Sequence, residues 1–306
     1  MGCTAHLFTW SVQQEEPLDL TPYVKLMENG ENFLACGSFG DVCRANLEID
    51  SYRNFVAVKY VRLHNQSPEA HNRLKIASTL ASLPCFASLI HLEGPMLLGT
   101  TCQDKWIGMV SPWVASGDLH TAVRKTDLAL SHRLQLACDT AEVHAQNIIH
   151  GDLTGKNILV NNEGTACIID FGLSVIQMEF EGTHYLTSTI GGALRYRAPE
   201  LMPGISIQDL TNFKPKLTPA CDVWSLGCIV LQILTGEVPY REIPDVCLML
   251  AILRGTRPSR LPAAHLDDNY WNYINTMWGK TPRSRPTVDD ASKVLARLRA
   301  SALDSQ

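Results

Sequence analysis

Long apolar runs, blocks of one charge, paired cysteines and internal repeats are all missing from this 306-residue sequence, and each absence removes a class of function. The longest apolar run, around Cys228 to Leu234, is too short to span a bilayer. No basic block is present, charged residues make up only 19% of the chain and the formal net charge is −5, which excludes wholesale nucleic-acid binding. The ten cysteines form no Cys-x-x-Cys pair, so they read as reduced, mostly buried thiols of a cytoplasmic protein, with the nucleus as the alternative compartment. Met1 to Gln14 lacks the basic start and apolar stretch of a signal peptide. Gly2-Cys3 resembles the start of a myristoylation signal, but His6 stands where that pattern wants Ser or Thr. What the chain does have is 45% hydrophobic residues, enough for a sizeable core in one large or two modest domains.

Residues 1–20 read as an N-terminal tail, with Glu15, Glu16 and Pro17 preceding any periodic pattern. A strand-rich stretch follows: Phe33 to Asn46 around a Gly-rich turn, and Phe55 to Leu63 as a β-branched strand. Pro68 to Leu83 is read as a helix, and Met96 to Leu98 and Lys105 to Val110 as further strands. After Val114 the pattern turns helical. Ser131 is placed to cap a helix carrying Leu134, Ala137 and Ala141 on one face, and Cys221 to Leu234 is apolar nearly all round, as in a helix at a domain centre. The prediction is an α+β chain with a small β-rich lobe and a larger helical lobe, joined near Ser111 to Ser116.

Four local patterns carry candidate chemistry. Ala35 to Val42 (ACGSFGDV) is a Gly-rich turn able to close over a polyphosphate, although Ala35 replaces the first glycine of the usual G-x-G-x-x-G and a plain hairpin has the same composition. Lys59 closes the apolar strand VAVK, where burial costs free energy unless an anion such as phosphate meets it; the alternative is a strand-end Lys reaching solvent. In HGDLTGKN, Asp152 can accept a proton from a hydroxyl and Asn157, five residues on, can ligate a metal ion. Asp170, at the end of the apolar strand IIDFG, is a natural Mg²⁺ ligand. Either Asp alone reads better as a turn carboxylate capping its own backbone. The ordered set of Gly loop, Lys59, Asp152, Asn157 and Asp170 does not.

With YRAPE ending at Glu200, DVWSLG at Asp222 to Gly227, and SRPT carrying Arg285, the chain resembles the eukaryotic protein kinases from about residue 28 to 296. Within them it looks most similar to the tyrosine-kinase-like branch, in the style of the kinase sets of mushroom-forming fungi. The resemblance implies a bilobal protein kinase fold: a small N-lobe (28–112) with one main helix, a helical C-lobe (113–296) and a C-terminal tail (297–306). It implies ATP and Mg²⁺ as cofactors and proteins as substrates. Lys59 would hold the α/β-phosphates, Asn157 and Asp170 the Mg²⁺, and Asp152 the acceptor hydroxyl. Leu34, Ala35, Gly37 and Gly40 would cover the nucleotide, and Val42, Ala57 and Leu159 would sandwich the adenine. Met109 to Val114 would form the hinge with Ser111 as gatekeeper, and Glu200 would pair with Arg285 for structure rather than catalysis. Small-molecule phosphotransferases share the H-G-D-x₄-N spacing but lack the A-P-E stretch and the D-x-W-S-x-G helix start, both present here.

Several positions depart from the pattern. Gly151 replaces the Arg that grips a phosphate on the activation loop, so activity is expected not to depend on phosphorylation at Thr183, Thr187, Ser188 or Thr189. Thr154 and Ala193 replace a Lys and a Thr usual in Ser/Thr kinases. Lys156 sits where tyrosine kinases tend to place Arg and could neutralise the γ-phosphate, or be a solvated turn Lys; the overall resemblance favours Ser/Thr acceptors. The helix Glu that should pair with Lys59 is expected near Leu74, but in Pro68 to Leu80 the only carboxylate is Glu69, about a turn and a half early. This keeps an ATP-binding pseudokinase or scaffold as the alternative. The helix before His150 is about four residues short. Met202 to Pro219 is longer than usual and is read as a surface insertion, with partner docking as its alternative use.

Overall fold

A computed structural model describes residues 18–26, 33–36, 40–50, 52–61, 98–103, 106–125, 127–144, 149–169, 192–204, 206, 208, 213 and 215–304. The chain divides into two compact units, Met1–Val114 and Ala115–Gln306.

The first unit is a six-stranded antiparallel sheet. Its strands are β1 (Val24–Leu26), β2 (Phe33–Cys36), β3 (Gly40–Ile49), β4 (Tyr52–Val61), β5 (Gly99–Gln103) and β6 (Trp106–Pro112), in the order β1-β3-β4-β6-β5 with β2 also paired to β3. Strict alternation sorts the side chains. Cys43, Ala45 and Leu47 on β3, Val56, Val58 and Tyr60 on β4 and Val110 on β6 join Leu20, Val24 and Leu98 in one buried cluster. Asp50, at the tight β3–β4 turn between the paired Ile49 and Tyr52, takes φ +51°, which an Asp tolerates better than most residues.

Leu20 is fully buried and Asp19 bridges Thr100, so the N-terminal tail expected to reach residue 20 ends earlier, and the sheet unit begins before residue 28. The segment Leu18 to Leu26 is short and broken by Thr21 and Pro22, so its apolar residues set up no clear period. The strand expected at Met96 to Leu98 starts at Gly99. The helix expected over Pro68 to Leu83 lies outside the described residues.

The second unit is mainly helical: α1 (Leu119–Lys125), α2 (Leu130–His144), the hairpin β7 (Ile158–Val160) and β8 (Ala166–Ile168), α3 (Pro219–Thr235), α4 (Asp245–Leu253), α5 (Asp268–Met277) and α6 (Val288–Asp304). Helix α3 is buried over every residue from Cys221 to Leu234 and forms the centre. Pro219 starts it, Gly236 at φ +75° ends it with its N–H on the Gln232 carbonyl, and Gly227 admits Trp278, whose Nε1 would lie 2.8 Å from a Cβ there. Leu134, Ala137 and Ala141 of α2 are fully buried as their spacing required, but the helix begins at Leu130, which places Ser131 inside the first turn rather than at the cap. The C-terminal tail expected at 297–306 is helical through Asp304, with Ala302 buried.

Candidate functional site

On the sheet unit, the face opposite the buried cluster gathers the residues read as nucleotide-facing. Register places Val42 opposite Lys59, Ala57 opposite Ser111 and Lys59 opposite Met109, and all five are half-buried. This follows from parity: Val56, Val58 and Val110 point into the core, so their odd neighbours point away from it. Arg44 shares that face, its guanidinium 3.6 Å from the Phe55 ring centroid and 5.4 Å from that of Trp113. Ala35 pairs with Val42 in register, Leu34 lies in β2 and Gly40 begins β3. Val114, half-buried, closes the unit. Gly37 lies outside the described residues.

In the helical unit, the loop from His150 to Asn157 is held from three directions. The buried Asp222 carboxylate, in the first turn of α3, accepts the N–H of His150 at 2.7 Å and of Gly151 at 2.9 Å. Gly151 sits at φ +77°, a conformation that glycine adopts without steric cost. The Asp152 N–H donates to His150 Nδ1, which leaves the proton on Nε2, and Nε2 donates to the Ile169 carbonyl at 3.0 Å. Finally, Asn157 Nδ2 donates to the Asp152 carbonyl at 2.8 Å, while the Ile169 N–H donates to the Asn157 carbonyl. The pairing of Ile158 with Ile168 across β7 and β8 sets this register. Asp170, the next residue, lies outside the described residues, as does the expected activation loop with Thr183, Thr187, Ser188 and Thr189.

Asp152 itself is 12% exposed, and its Oδ1 accepts from NH2 of Arg197, which is 2% exposed, at 3.3 Å. Lys156 is exposed; Leu159 is half-buried and bridges Asp118. Loop geometry thus brings Asp152 and Asn157 into direct contact and leaves Lys156 in solvent.

Behind the loop lies a polar relay absent from the sequence reading. Tyr196 donates its OH to Gln232 Oε1 at 2.8 Å, Gln232 Nε2 lies 2.8 Å from His120 Nδ1, and Ser225 donates to the Tyr196 carbonyl at 2.8 Å. Burial raises the Tyr196 hydroxyl well above its ordinary range, so it stays protonated as a donor. Arg285 clamps Glu200 with two bonds of 2.6 and 2.8 Å, donates to the Ala220 carbonyl and lies over the Trp224 ring, as expected for a structural pair.

The segment from Met202 to Pro219, expected on the surface, is not wholly so. Met202 is buried with Leu194, Tyr240, Leu248 and Ile252, and Leu217 presses on Gly151: a Cβ there would lie 2.7 Å from its Cδ2. The pattern could not show this, because Leu217 is isolated among Pro, Lys and Thr.

A family model described as protein tyrosine and serine/threonine kinase matches residues 29–295. The chain belongs to the protein kinase family. Its sheet unit and helical unit are the N- and C-lobes of that α+β fold. It is 28% identical over 279 residues to ephrin type-A receptor 5 of Gallus gallus, covering 88% of this chain and 26% of that protein. Over 262 residues it is 28% identical to mitogen-activated protein kinase kinase kinase 1b of Physcomitrium patens, covering 84% of this chain and 32% of that protein. A shorter match, 33% over 172 residues, covers 54% of the chain and 32% of mitogen-activated protein kinase 13 of Oryza sativa subsp. indica. The chain spans no more than about a third of the length of these curated relatives. Among the described residues no helix is long and apolar enough to cross a membrane.

Proposed function

We propose that this kinase domain transfers the γ-phosphate of ATP to protein hydroxyls, with Ser and Thr favoured over Tyr, and that it belongs to the tyrosine-kinase-like branch. The observation that carries the reading is the way the Asp152 loop is fixed: its carbonyl on the Asn157 amide, its N–H on His150, and the two preceding N–H groups on Asp222. A backbone held so firmly at Asp152 suits a residue that must receive an acceptor hydroxyl in one orientation.

The donor set fits a hard divalent cation. The Asn157 amide spends its Nδ2 on Asp152 and retains Oδ1, and Asp170 would supply a carboxylate, the oxygen ligands that Mg²⁺ prefers. Bound there, Mg²⁺ would neutralise charge developing on the phosphate oxygens. Lys59 would orient the α/β-phosphates, Val42, Ala57 and Leu159 would contact adenine, Leu34, Ala35, Gly37 and Gly40 would cover the phosphates, and Val114 would belong to the hinge. Asp152 would orient the acceptor hydroxyl and take its proton.

The sequence from Pro68 to Leu80, with Glu69 its only carboxylate, favours one second reading, an ATP-binding scaffold without transfer. A single assay separates the two: purified protein, Mg²⁺, labelled ATP and myelin basic protein or casein, beside Asp152→Asn. Transfer that is lost in Asp152→Asn supports the kinase reading. Thermal stabilisation by Mg·ATP without transfer supports the scaffold. If Lys59→Met leaves turnover unchanged, Lys59 does not reach the phosphates.

A further inference from the structure

We propose that Arg197 is the positioning residue for Asp152, holding one carboxylate oxygen so that the other faces the acceptor hydroxyl. The inference rests on the proposed role of Asp152 and adds to it a residue that no motif role assigns.

Three observations carry it. First, the Arg197–Asp152 pair is nearly dry, at 2% and 12% exposure, and a guanidinium is not taken out of water without a matching anion. Second, among the described residues of the loop, Thr154 is buried with its Oγ1 accepting the Asn157 N–H, Asn157 Nδ2 donates to the Asp152 carbonyl, and Lys156 is exposed. Third, one helix anchors both partners. Asp222 of α3 fixes the backbone on the Asp152 side, and Ser225 and Gln232 of the same helix fix Tyr196, the residue before Arg197. A contact between two side chains mounted on one rigid element keeps its geometry. The contact runs from Arg197 NH2 to Asp152 Oδ1 at 3.3 Å.

The test compares the intact chain with Arg197→Met, Arg197→Gln and Arg197→Lys, with Asp152→Asn as the inactive control. Arg197→Met should lower kcat about tenfold to a hundredfold while KM for ATP holds steady, measured at a temperature where the variant is still folded. Arg197→Gln, a neutral single donor, should lose less, and Arg197→Lys should recover most of the rate, because one hydrogen bond rather than a fork is needed. A rise in kcat would mean that Arg197 competes with the acceptor for Asp152, and an unchanged kcat would mean that the contact is structural; both overturn the inference. If the wild-type chain transfers no phosphate, the proposed function fails separately, and hydrogen exchange over 150–157 decides the positioning claim. Exchange there should quicken about tenfold in Arg197→Met, in line with the loss of one charge-assisted bond, and unchanged exchange would overturn it.

Discussion

Replacing Asp222 by Asn tests whether the carboxylate at the start of α3 is what holds the Asp152 loop. The wild-type side chain is 1% exposed and accepts two backbone N–H groups, at 2.7 and 2.9 Å. An amide has one oxygen, so it can keep one bond while its NH2 end confronts the other N–H. The lost charge-assisted bond and the stranded buried donor together cost about 3 kcal/mol, with no discount for solvent at so dry a site. Backbone strain adds nothing, because Gly151 occupies φ +77° freely. If the cost falls on the loop, its local opening constant rises about a hundredfold, visible as faster hydrogen exchange in a peptide spanning 149–153. If it falls on the whole helical unit, the unfolding midpoint drops by about 6–12 °C. Phosphoryl transfer should fall in either case. An Asp222→Asn protein with exchange within about threefold of wild type, and the same midpoint, would refute the assignment of Asp222 as the loop's anchor.

Glu200→Gln should destabilise the helical lobe by about 3 kcal/mol, because it leaves the fully buried Arg285 guanidinium facing an amide; a thermal melt reads this, and adding Arg285→Met should recover part of the loss. Gly151→Ala should cost about 1–2 kcal/mol for a β-carbon at φ +77°, and Leu217→Ala in the same background should relieve only the additional contact with Leu217; equal stability of Gly151→Ala and wild type in chemical denaturation would contradict this. Alkylation at pH 8 followed by peptide mass mapping should label Cys102 and Cys247 and spare Cys43 and Cys138, whose thiols burial pushes up to about 11; labelling of the latter pair should begin only as the pH approaches that value.

The parts legible in the sequence are those with a period or a fixed motif. Alternation along VAVK was enough to put Ala57 and Lys59 on the face away from Val56 and Val58, and the register then brings Val42 and Ser111 beside them. The apolar stretch from Cys221 to Leu234 read as a helix buried all round, and the kinase resemblance implied the Glu200–Arg285 clamp; both are present. What escaped was carried by single residues meeting across long separations. Arg197 is 45 positions from Asp152 and stood inside a signature read as a unit; Gln232 interrupts an apolar helix without any pattern to mark it; Leu217 contacts Gly151 from a segment of turn-forming composition. No local propensity distinguishes such residues from their neighbours, because their placement depends on tertiary register. Beyond the bounds of the kinase match, Leu20 and Ala302 are buried by contacts that their own segments do not predict.

Helix α3 explains why polar residues survive in so apolar an element. Asp222, Ser225, Ile229 and Gln232 fall within one stripe of about 80° on a 3.6-residue period, and the three polar ones are all buried. Each is matched: Asp222 to the N–H groups of His150 and Gly151, Ser225 to the Tyr196 carbonyl, Gln232 to the Tyr196 hydroxyl and His120. An apolar stripe of the same volume would pack as well and avoid the desolvation cost. It would also free the Asp152 loop and the segment carrying Arg197 to choose their own positions. The stripe therefore makes sense as a registration device: it converts the buried central helix of the lobe into a common mount for the segments carrying Asp152 and Arg197, at the cost of three buried polar groups that a helix serving stability alone would not need.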